Sequence, residues 1–263
     1  MIFFRYLYSI WGAILFALAV IIAIPITFIG LHTGDMGLRF RHAYYRYAMQ
    51  LWGILMFVKY NIVGEENLKS DKNYVFVSNH TSYGDVPIVA AALPHKFVAL
   101  AKKEAGDILV MGYLFRAICV LVDRKDKESR RNSVIELKKR AEKGISLLVF
   151  PEGTFGNPEK EVMLPFHTGA FRLAIELQQS IVPIALVGTR SLFTNDKFPL
   201  KPCTITMIYG KPISVENLTL DDAHSLRDKV YTQIENTLLE KDPVFYKLLV
   251  TRHQAKQLSL IHI

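Results

Sequence analysis

The sequence has 263 residues, of which 51% are hydrophobic, and its formal net charge is +8. That length permits one large domain or a domain with an attached anchor, and a basic chain suits an anionic membrane surface, a nucleic acid or a phosphate-bearing substrate. We expect no nucleic-acid partner, because the chain has no Arg/Gly-rich tail, no zinc-finger spacing and no basic helix face interleaved with aromatic residues.

The first predicted element is an apolar helix at the N-terminus. The 25 residues from Leu7 to Leu31 carry no charge, and at ~1.5 Å per residue they exceed the roughly 30 Å hydrocarbon core of a bilayer. A signal peptide has a shorter apolar region of about 7–15 residues, so we predict an uncleaved membrane anchor. Arg5 alone precedes the segment, whereas several basic residues follow it: Arg39, Arg41, Arg46 and Lys59. If the helix spans, the positive-inside rule places the remainder of the chain on the cytoplasmic face.

A second apolar run, Tyr47 to Val58, has 12 residues and is too short to span. It is predicted to lie in the interface or to pack on the first helix. A helical hairpin that dips into one leaflet is therefore an alternative to a single span. We divide the chain into an anchor with interfacial helices (residues 1–60), a domain (residues 61–240) and a C-terminal tail (residues 241–263).

From about Asn61 onward, strand patterns alternate with helix patterns. Strands are predicted at residues 73–78, 97–101, 117–122, 146–150, 181–187 and 204–209, and helices at 85–93, 107–116, 132–143, 168–179 and 222–239. This alternation predicts an α/β domain with a mostly parallel sheet flanked by helices. Cys119 and Cys203 lie far apart in apolar runs, so neither a disulfide framework nor a cysteine-based metal site is predicted.

The hexapeptide His80-Thr81-Ser82-Tyr83-Gly84-Asp85 joins the first of these strands to its helix. A histidine at a strand end can serve as a general base, and a carboxylate five residues later can return to one imidazole nitrogen to orient the ring. A loop histidine followed by a helix-capping aspartate would give the same spacing. Ser82 lacks a nucleophile-elbow setting, so a turn role is predicted for it.

Two further strand ends carry groups that suit a ligand. Asp123-Arg124 closes one buried strand, and Lys102 and Lys103 follow the preceding strand. Cations at neighbouring strand ends can converge on a phosphate, although a solvated basic surface has the same sequence. Phe150-Pro151-Glu152-Gly153-Thr154 closes another strand, and its glycine permits close backbone approach to a ligand.

Taken together, these segments resemble the lysophospholipid and glycerol-phosphate acyltransferase family. The family carries four ordered blocks, which match His80 to Asp85, Val122-Asp123-Arg124, Phe150 to Thr154 and Val182-Pro183-Ile184. The resemblance covers roughly residues 73 to 212, and the family's apolar N-terminal helices match residues 1–58.

The resemblance implies a membrane-bound enzyme that transfers an acyl group from acyl-CoA or acyl carrier protein to the hydroxyl of a lysophospholipid. The first candidate acceptor is 1-acyl-sn-glycerol-3-phosphate, which would give phosphatidic acid. It implies that His80 is the general base and Asp85 its orienting partner, with no covalent acyl-enzyme, no metal and no cofactor. It also implies binding roles for six residues: Lys103, Arg124, Glu152, Gly153, Thr154 and Pro183.

The sequence departs from the family pattern at two basic positions. Phe155-Gly156 stands where Arg-Ser commonly follows the third block, and His167 stands where a lysine is common. Lys102, Lys103 or Arg172 are candidates to compensate for these two cations. The alternative is the same chemistry on an acceptor without a phosphomonoester, such as an aminoacyl lyso-lipid.

Overall fold

The computed structural model describes residues 2–154, 163–193 and 198–247. The chain begins with two long helices, α1 (Ile2–His32) and α2 (Gly34–Leu55). They run antiparallel, since the Trp52 indole donates to the Gly12 carbonyl and the Tyr44 hydroxyl donates to the Ala19 carbonyl. The short apolar run predicted to pack on the first helix therefore falls mostly in the second half of α2, and α1 and α2 together form a helical hairpin.

The rest of the described chain forms one seven-stranded sheet with the order β1-β7-β6-β2-β5-β3-β4. Neighbouring strands are parallel except for the β6–β7 pair, which is antiparallel. The mostly parallel α/β fold predicted from the alternating pattern is confirmed. The strands are β1 (Lys59–Val63), β2 (Val75–Ser78), β3 (Phe97–Lys102), β4 (Cys119–Val122), β5 (Ser146–Val149), β6 (Ile181–Val187) and β7 (Thr204–Tyr209).

Helices cover both faces of the sheet, as a mostly parallel sheet requires. The remaining helices are α3 (Asp85–Ala92), α4 (Met111–Ile118), α5 (Lys127–Glu142), α6 (Gly169–Glu176) and α7 (Ala223–Lys241). Alternate residues of the central strand β2 serve the two cores. Val75 and Val77 pack with α5, α6 and α7 on one face, whereas Tyr74 and Phe76 pack with α2 and α3 on the other.

The structure corrects three sequence predictions. β1 was not predicted, because Lys59–Val63 alternates exposed and half-buried residues rather than forming an apolar run; the division after residue 60 falls inside this strand. The helix predicted from residue 107 forms at Met111–Ile118, after a short 3-10 helix at Lys103–Asp107. The helix predicted from residue 132 begins at Lys127, because the Asp126 carboxylate caps its first backbone N–H groups.

Both ends of α1 are fastened to the α/β domain. At its start, Arg5 donates to the Pro199 carbonyl at 3.0 Å, and the Leu200 N–H donates to the Ser9 hydroxyl at 2.7 Å. Just beyond its end, the Lys96 ammonium contacts the Asp35 carboxylate at 2.5 Å. The hairpin therefore lies along the domain rather than projecting away from it.

The outer face of the hairpin is apolar and exposed. Among the described helices, α1 is the one long and apolar enough to cross a membrane, and 22% of its most apolar window is buried. Its buried positions are mostly small residues: Ser9, Gly12, Ala23, Thr27 and Gly30. Small residues let α1 approach its neighbours closely, which leaves the large side chains facing outward.

Candidate active site

His80 and Asp85 form a close pair at the carboxyl end of β2. The His80 Nδ1 atom lies 2.6 Å from Asp85 Oδ2, and Asp85 is fully buried while the His80 side chain is 20% exposed. Asp85 opens α3. Gly84, the residue before it, lies so close to the Thr189 backbone that an added Cβ would be 2.8 Å from the Thr189 carbonyl oxygen. The close turn therefore brings the carboxylate back to the ring, as the five-residue spacing predicts.

Further donors hold the Asp85 carboxylate in place. Its Oδ2 atom accepts the Thr81 and Ser82 backbone N–H groups at 2.7 and 3.2 Å, and its Oδ1 atom accepts the Thr81 hydroxyl at 3.2 Å. The Thr81 hydroxyl also hydrogen-bonds the Thr189 hydroxyl just after β6. Ser82 is buried and its hydroxyl accepts the Gly84 N–H at 3.0 Å. The turn role predicted for Ser82 is confirmed.

The backbone that carries His80 is anchored by Asn79. The Asn79 side chain donates to the Leu186 carbonyl at 3.1 Å and accepts the Leu186 N–H at 2.8 Å, so a buried amide continues the β2–β6 pairing beyond the last strand residue. The His80 ring stacks on Phe150, with centroids 4.3 Å apart. These contacts fix both the main chain and the plane of the imidazole.

Glu152 joins the first block to the third. Its Oε1 atom accepts the His80 backbone N–H at 2.7 Å, and its Oε2 atom accepts the Leu164 backbone N–H at 2.8 Å. The side chain is buried, and that burial raises its pKa to about 7 despite the two N–H donors. The carboxylate predicted to bind acceptor thus has both oxygens directed at protein backbone, and its contacts are those of a positioning residue.

Gly153 and Arg124 lie against each other. Gly153 has φ +77°, and a Cβ at this position would lie 2.8 Å from an Arg124 guanidinium nitrogen and 3.4 Å from the His167 ring. A glycine is needed here for both reasons. Partial burial lowers the pKa of Arg124, while Glu104 opposes that shift. The Arg124 guanidinium and the His167 ring thus both lie beside Gly153 of the third block.

Lys103 reaches the same edge of the sheet from the neighbouring strand. It follows β3, and its ammonium lies 4.0 Å from the Asp123 carboxylate, which follows β4. Because β3 and β4 are parallel neighbours, their carboxyl ends bring Lys103, Asp123 and Arg124 together. The strand-end cations thus follow neighbouring strands at one edge of the sheet, and their convergence on a phosphate stays a prediction.

Thr154 and Pro183 differ in their surroundings. Thr154 is exposed at the end of the turn. Pro183 is buried within β6 opposite Val77, and its carbonyl accepts the Gly210 N–H at 2.8 Å. Ile184 pairs with Tyr209, whereas Ile181 pairs with Ile213. The chain just after β7 therefore carries one extra residue opposite the proline, which lacks an N–H. These contacts give Pro183 a structural setting, and its binding role stays a prediction.

Sequence reasoning gave no individual role to four residues that build this site: Asn79, Phe150, Leu164 and Thr189. Asn79 precedes the first block and Phe150 opens the third, so a polar or aromatic residue at a strand end was the available signal. Leu164 contributes only its backbone, and Thr189 lies 108 positions after Thr81; no local pattern marks them. The Gly153 N–H donates to the Phe150 carbonyl at 3.0 Å, which closes the turn of the third block. Phe155 lies outside the described residues.

This geometry defines an α/β protein with a histidine paired to a buried carboxylate at the strand ends, where ligand clefts form in such sheets. The sequence model described as "Acyltransferase" matches residues 59–187. The chain is 34% identical over 184 residues to the 1-acyl-sn-glycerol-3-phosphate acyltransferase of Saccharomyces cerevisiae, covering 68% of this chain and 59% of that enzyme. It is 30% identical to an uncharacterized acyltransferase of Schizosaccharomyces pombe, covering 70% of this chain and 67% of that protein.

The chain therefore belongs to the acyltransferase family. It is also 31% identical to the human 1-acyl-sn-glycerol-3-phosphate acyltransferase alpha, covering 66% of this chain and 61% of the human protein. The fold matches the crystal structure of the 1-acyl-sn-glycerophosphate acyltransferase PlsC from Thermotoga maritima with a TM-score of 0.76 over 91% of this chain and 97% of that one, at 20% identity. The likeness to PlsC extends through most of the fold, including parts outside residues 59–187.

Proposed function

We propose that this protein is a membrane-bound O-acyltransferase. It moves a fatty acyl group from an acyl thioester, acyl-CoA or acyl carrier protein, to the hydroxyl of a lysophospholipid. The first candidate acceptor is 1-acyl-sn-glycerol-3-phosphate, the substrate class in the names of the yeast and human relatives. The observation that carries the proposal is the 2.6 Å contact between His80 Nδ1 and the buried Asp85 carboxylate.

In the proposed reaction, Asp85 holds His80 with its Nδ1–H directed at the carboxylate, which leaves Nε2 as the basic atom of the neutral ring. Nε2 takes the proton of the acceptor hydroxyl while the oxygen attacks the thioester carbonyl carbon. The tetrahedral intermediate collapses, the carbon–sulfur bond breaks, and the thiolate receives the proton from the imidazolium. The products are an ester and a free thiol, so the step balances without an acyl-enzyme, a metal or a cofactor.

The acceptor phosphate is assigned to the basic edge formed by Arg124 and Lys103. Arg124 can bind a phosphate through two guanidinium N–H groups. Its place against Gly153 keeps the guanidinium near the turn that also supports His80 through Glu152. This arrangement supports a phosphate-bearing acceptor even though Phe155 and His167 replace two common cations. The alternative acceptor, an aminoacyl lyso-lipid, is motivated by those same two replacements.

The proposed membrane contact is the exposed face of the hairpin, inserted into one leaflet. A spanning helix holds its ends on opposite sides of a hydrocarbon layer roughly 30 Å thick, but both ends of α1 contact the same domain through Arg5 and, just beyond α1, Asp35. An interfacial hairpin satisfies these contacts and covers the apolar outer face. We assign the protein to the cytoplasmic leaflet, since the basic segment after α1 suits its anionic lipids.

An apolar cavity supports the lipid assignment. It has a volume of about 330 Å³ and lies between the hairpin and the α3 and α4 helices, where it is lined by Phe16, Val20, Val86, Ala90, Leu114 and Phe115. Pockets of this size suit small-molecule ligands. Val86, the residue after Asp85 in α3, is one of the lining residues. We assign the cavity to an acyl chain.

The test is acyl transfer by the full chain in phospholipid vesicles with acyl-CoA as donor. Turnover on lysophosphatidic acid is compared with turnover on lyso-lipids that lack a phosphomonoester, including an aminoacyl lyso-lipid. Preference for lysophosphatidic acid supports the first acceptor, and preference for the aminoacyl lyso-lipid supports the alternative. Failure to consume thioester with every acceptor, from both acyl-CoA and acyl carrier protein, would contradict the proposed reaction.

A further inference from the structure

The segment that leads into α4 presents a second apolar surface, separate from the hairpin. Leu109 is 90% exposed, the most exposed of the large hydrophobic side chains in the described chain, and its neighbours Ile108 and Val110 are about half exposed. The eight residues from Ile108 to Phe115 carry no charge. Exposed apolar side chains that are adjacent in sequence and space mark a contact surface more often than scattered ones do.

The shape of this segment is built by its backbone. Val110 has φ +66° and ψ −54°, and the Met111 N–H donates to the Leu109 carbonyl at 2.7 Å. This is a γ-turn of the rare, strained type, here centred on a β-branched residue. The Gly112 N–H also donates to the Ile108 carbonyl at 2.6 Å. Because strain of this kind persists only where surrounding structure enforces it, the turn is a candidate functional feature.

A glycine pair closes the base of the turn. A Cβ on Gly112 would lie 2.0 Å from the Gly106 carbonyl oxygen, so only glycine fits at this position. On the far side, a Cβ on Gly106 would lie 2.5 Å from the Leu121 side chain. The 3-10 helix and α4 thus meet at their backbones, and residues 107–111 protrude between them. We call residues 108–110, which form the exposed part of this protrusion, the Leu109 turn.

The Leu109 turn lies beside the hairpin and near the active-site edge. α4, which the turn opens, packs against α1, and Met111, Leu114 and Phe115 line the same apolar cavity as Phe16 and Val20 of α1. The turn also follows β3 at the carboxyl edge of the sheet, where Lys103 lies. The turn is therefore joined to the hairpin through α4 and the cavity that both elements line.

We infer that the Leu109 turn is a second membrane-insertion element, which dips into the leaflet that holds the hairpin and seats the active-site edge against the lipid surface. This inference rests on the proposed membrane function and adds a contact that fixes how the domain is tilted. The occupant is a bilayer containing anionic lipid, because α4 joins the turn to the hairpin that is proposed to face lipid. Lys102 and Lys103 just before the turn are exposed and can contact anionic headgroups.

The experiment places an environment-sensitive fluorophore on single cysteines in a Cys119→Ala/Cys203→Ala background of the full chain. Leu109→Cys reports on the turn, Ile14→Cys on the outer face of the hairpin, and Lys229→Cys on the opposite side of the domain. Vesicles contain phosphatidylcholine with phosphatidylglycerol, and spin-labelled lipids quench probes that enter the leaflet. We expect a blue shift and quenching at positions 14 and 109, and neither at position 229.

Other combinations of probe results separate the inference from the proposed membrane mode. Insertion at position 14 with an aqueous probe at position 109 overturns the inference and leaves the hairpin proposal standing. An aqueous probe at position 14 overturns the proposed membrane mode, and the inference with it. A blue shift at position 109 that depends on protein concentration without vesicles identifies a contact between copies of the chain instead.

A functional readout uses a charge at the same position. Leu109→Glu should raise the KM for a bilayer-embedded acceptor about tenfold relative to the KM in detergent micelles, since a carboxylate opposes insertion and removes the buried apolar area. The matched control is Ile135→Glu, which adds the same charge at an exposed apolar position on α5. The inference would be overturned if the ratio of the bilayer KM to the micelle KM were the same for Leu109→Glu as for the unsubstituted protein.

Discussion

Replacing Glu152 by glutamine separates a positioning role from a binding role. The Glu152 carboxylate accepts two backbone N–H groups, one from His80 and one from Leu164. A glutamine side-chain oxygen can accept one of these N–H groups, but its NH₂ group then faces the other N–H, so that two donors meet without an acceptor. A buried donor left unpaired in this way costs about 1–3 kcal/mol. If that cost falls on the placement of His80, it corresponds to a decrease in kcat of roughly 5- to 150-fold.

The assay is steady-state acyl transfer at a pH above 7, where Glu152 is ionised, with acceptor and donor varied separately. We expect kcat to fall while the acceptor KM stays close to that of the unsubstituted protein. Glu136→Gln is the matched control, because Glu136 pairs with Arg140 on α5 and neither residue belongs to the site. An acceptor KM that rises while kcat is retained would refute the positioning role and restore Glu152 as a binding residue.

The remaining predictions concern acceptor affinity, chain length and stability. Arg124→Ala should raise the KM for lysophosphatidic acid at least tenfold with a smaller effect on a phosphate-free lyso-lipid; equal effects on both acceptors would argue against a phosphate contact. Ala90→Phe fills the cavity and should shift product profiles toward shorter acyl chains, measured by lipid mass spectrometry; an unchanged profile would contradict the cavity assignment. Burial raises the pKa of Glu152 from 4.5 to about 7, so the folded protein binds this proton more tightly than the unfolded chain. That stabilisation is complete below pH ~4.5 and is lost as the pH rises through 7, by about 3 kcal/mol. Chemical unfolding in detergent should show that the difference in stability between the unsubstituted protein and Glu152→Gln declines over this range, and a constant difference would contradict the assigned pKa shift.

The sequence was sufficient to predict those helices and strands whose hydrophobic pattern is local. The apolar runs of β5 and β6 and the helix that opens at Asp85 were predicted closely, since buried strands of a parallel sheet are continuously hydrophobic. β1 was not predicted because it is half-exposed and is held in the sheet by pairing with β7, which lies far along the chain. The spacing of His80 and Asp85 allowed a close pair, but it allowed a loop histidine and a helix cap equally. The ordered blocks of the family favoured the pair.

The rest of the site depends on contacts between distant segments. Glu152 reaches His80 across 72 positions, and Thr81 meets Thr189 across 108. A motif shows that such residues matter, but not whether they face a ligand or the backbone. The predicted binding role of Glu152 illustrates this limit, since its two oxygens are directed at main-chain N–H groups. The packing of the hairpin against the domain likewise rests on Arg5 and Ser9, polar residues at or near the start of the apolar run.

The most direct test of the proposed mechanism is acyl transfer by His80→Ala measured beside vesicle binding of the same variant. His80 has its ring paired with Asp85 at 2.6 Å and stacked on Phe150, so its removal takes away the proposed base and leaves the hairpin intact. We predict that turnover falls by at least 10³-fold, the scale of losing a general base and the geometry around it, with unchanged membrane binding. Turnover retained within tenfold of the unsubstituted protein would contradict the assignment of His80 as the general base.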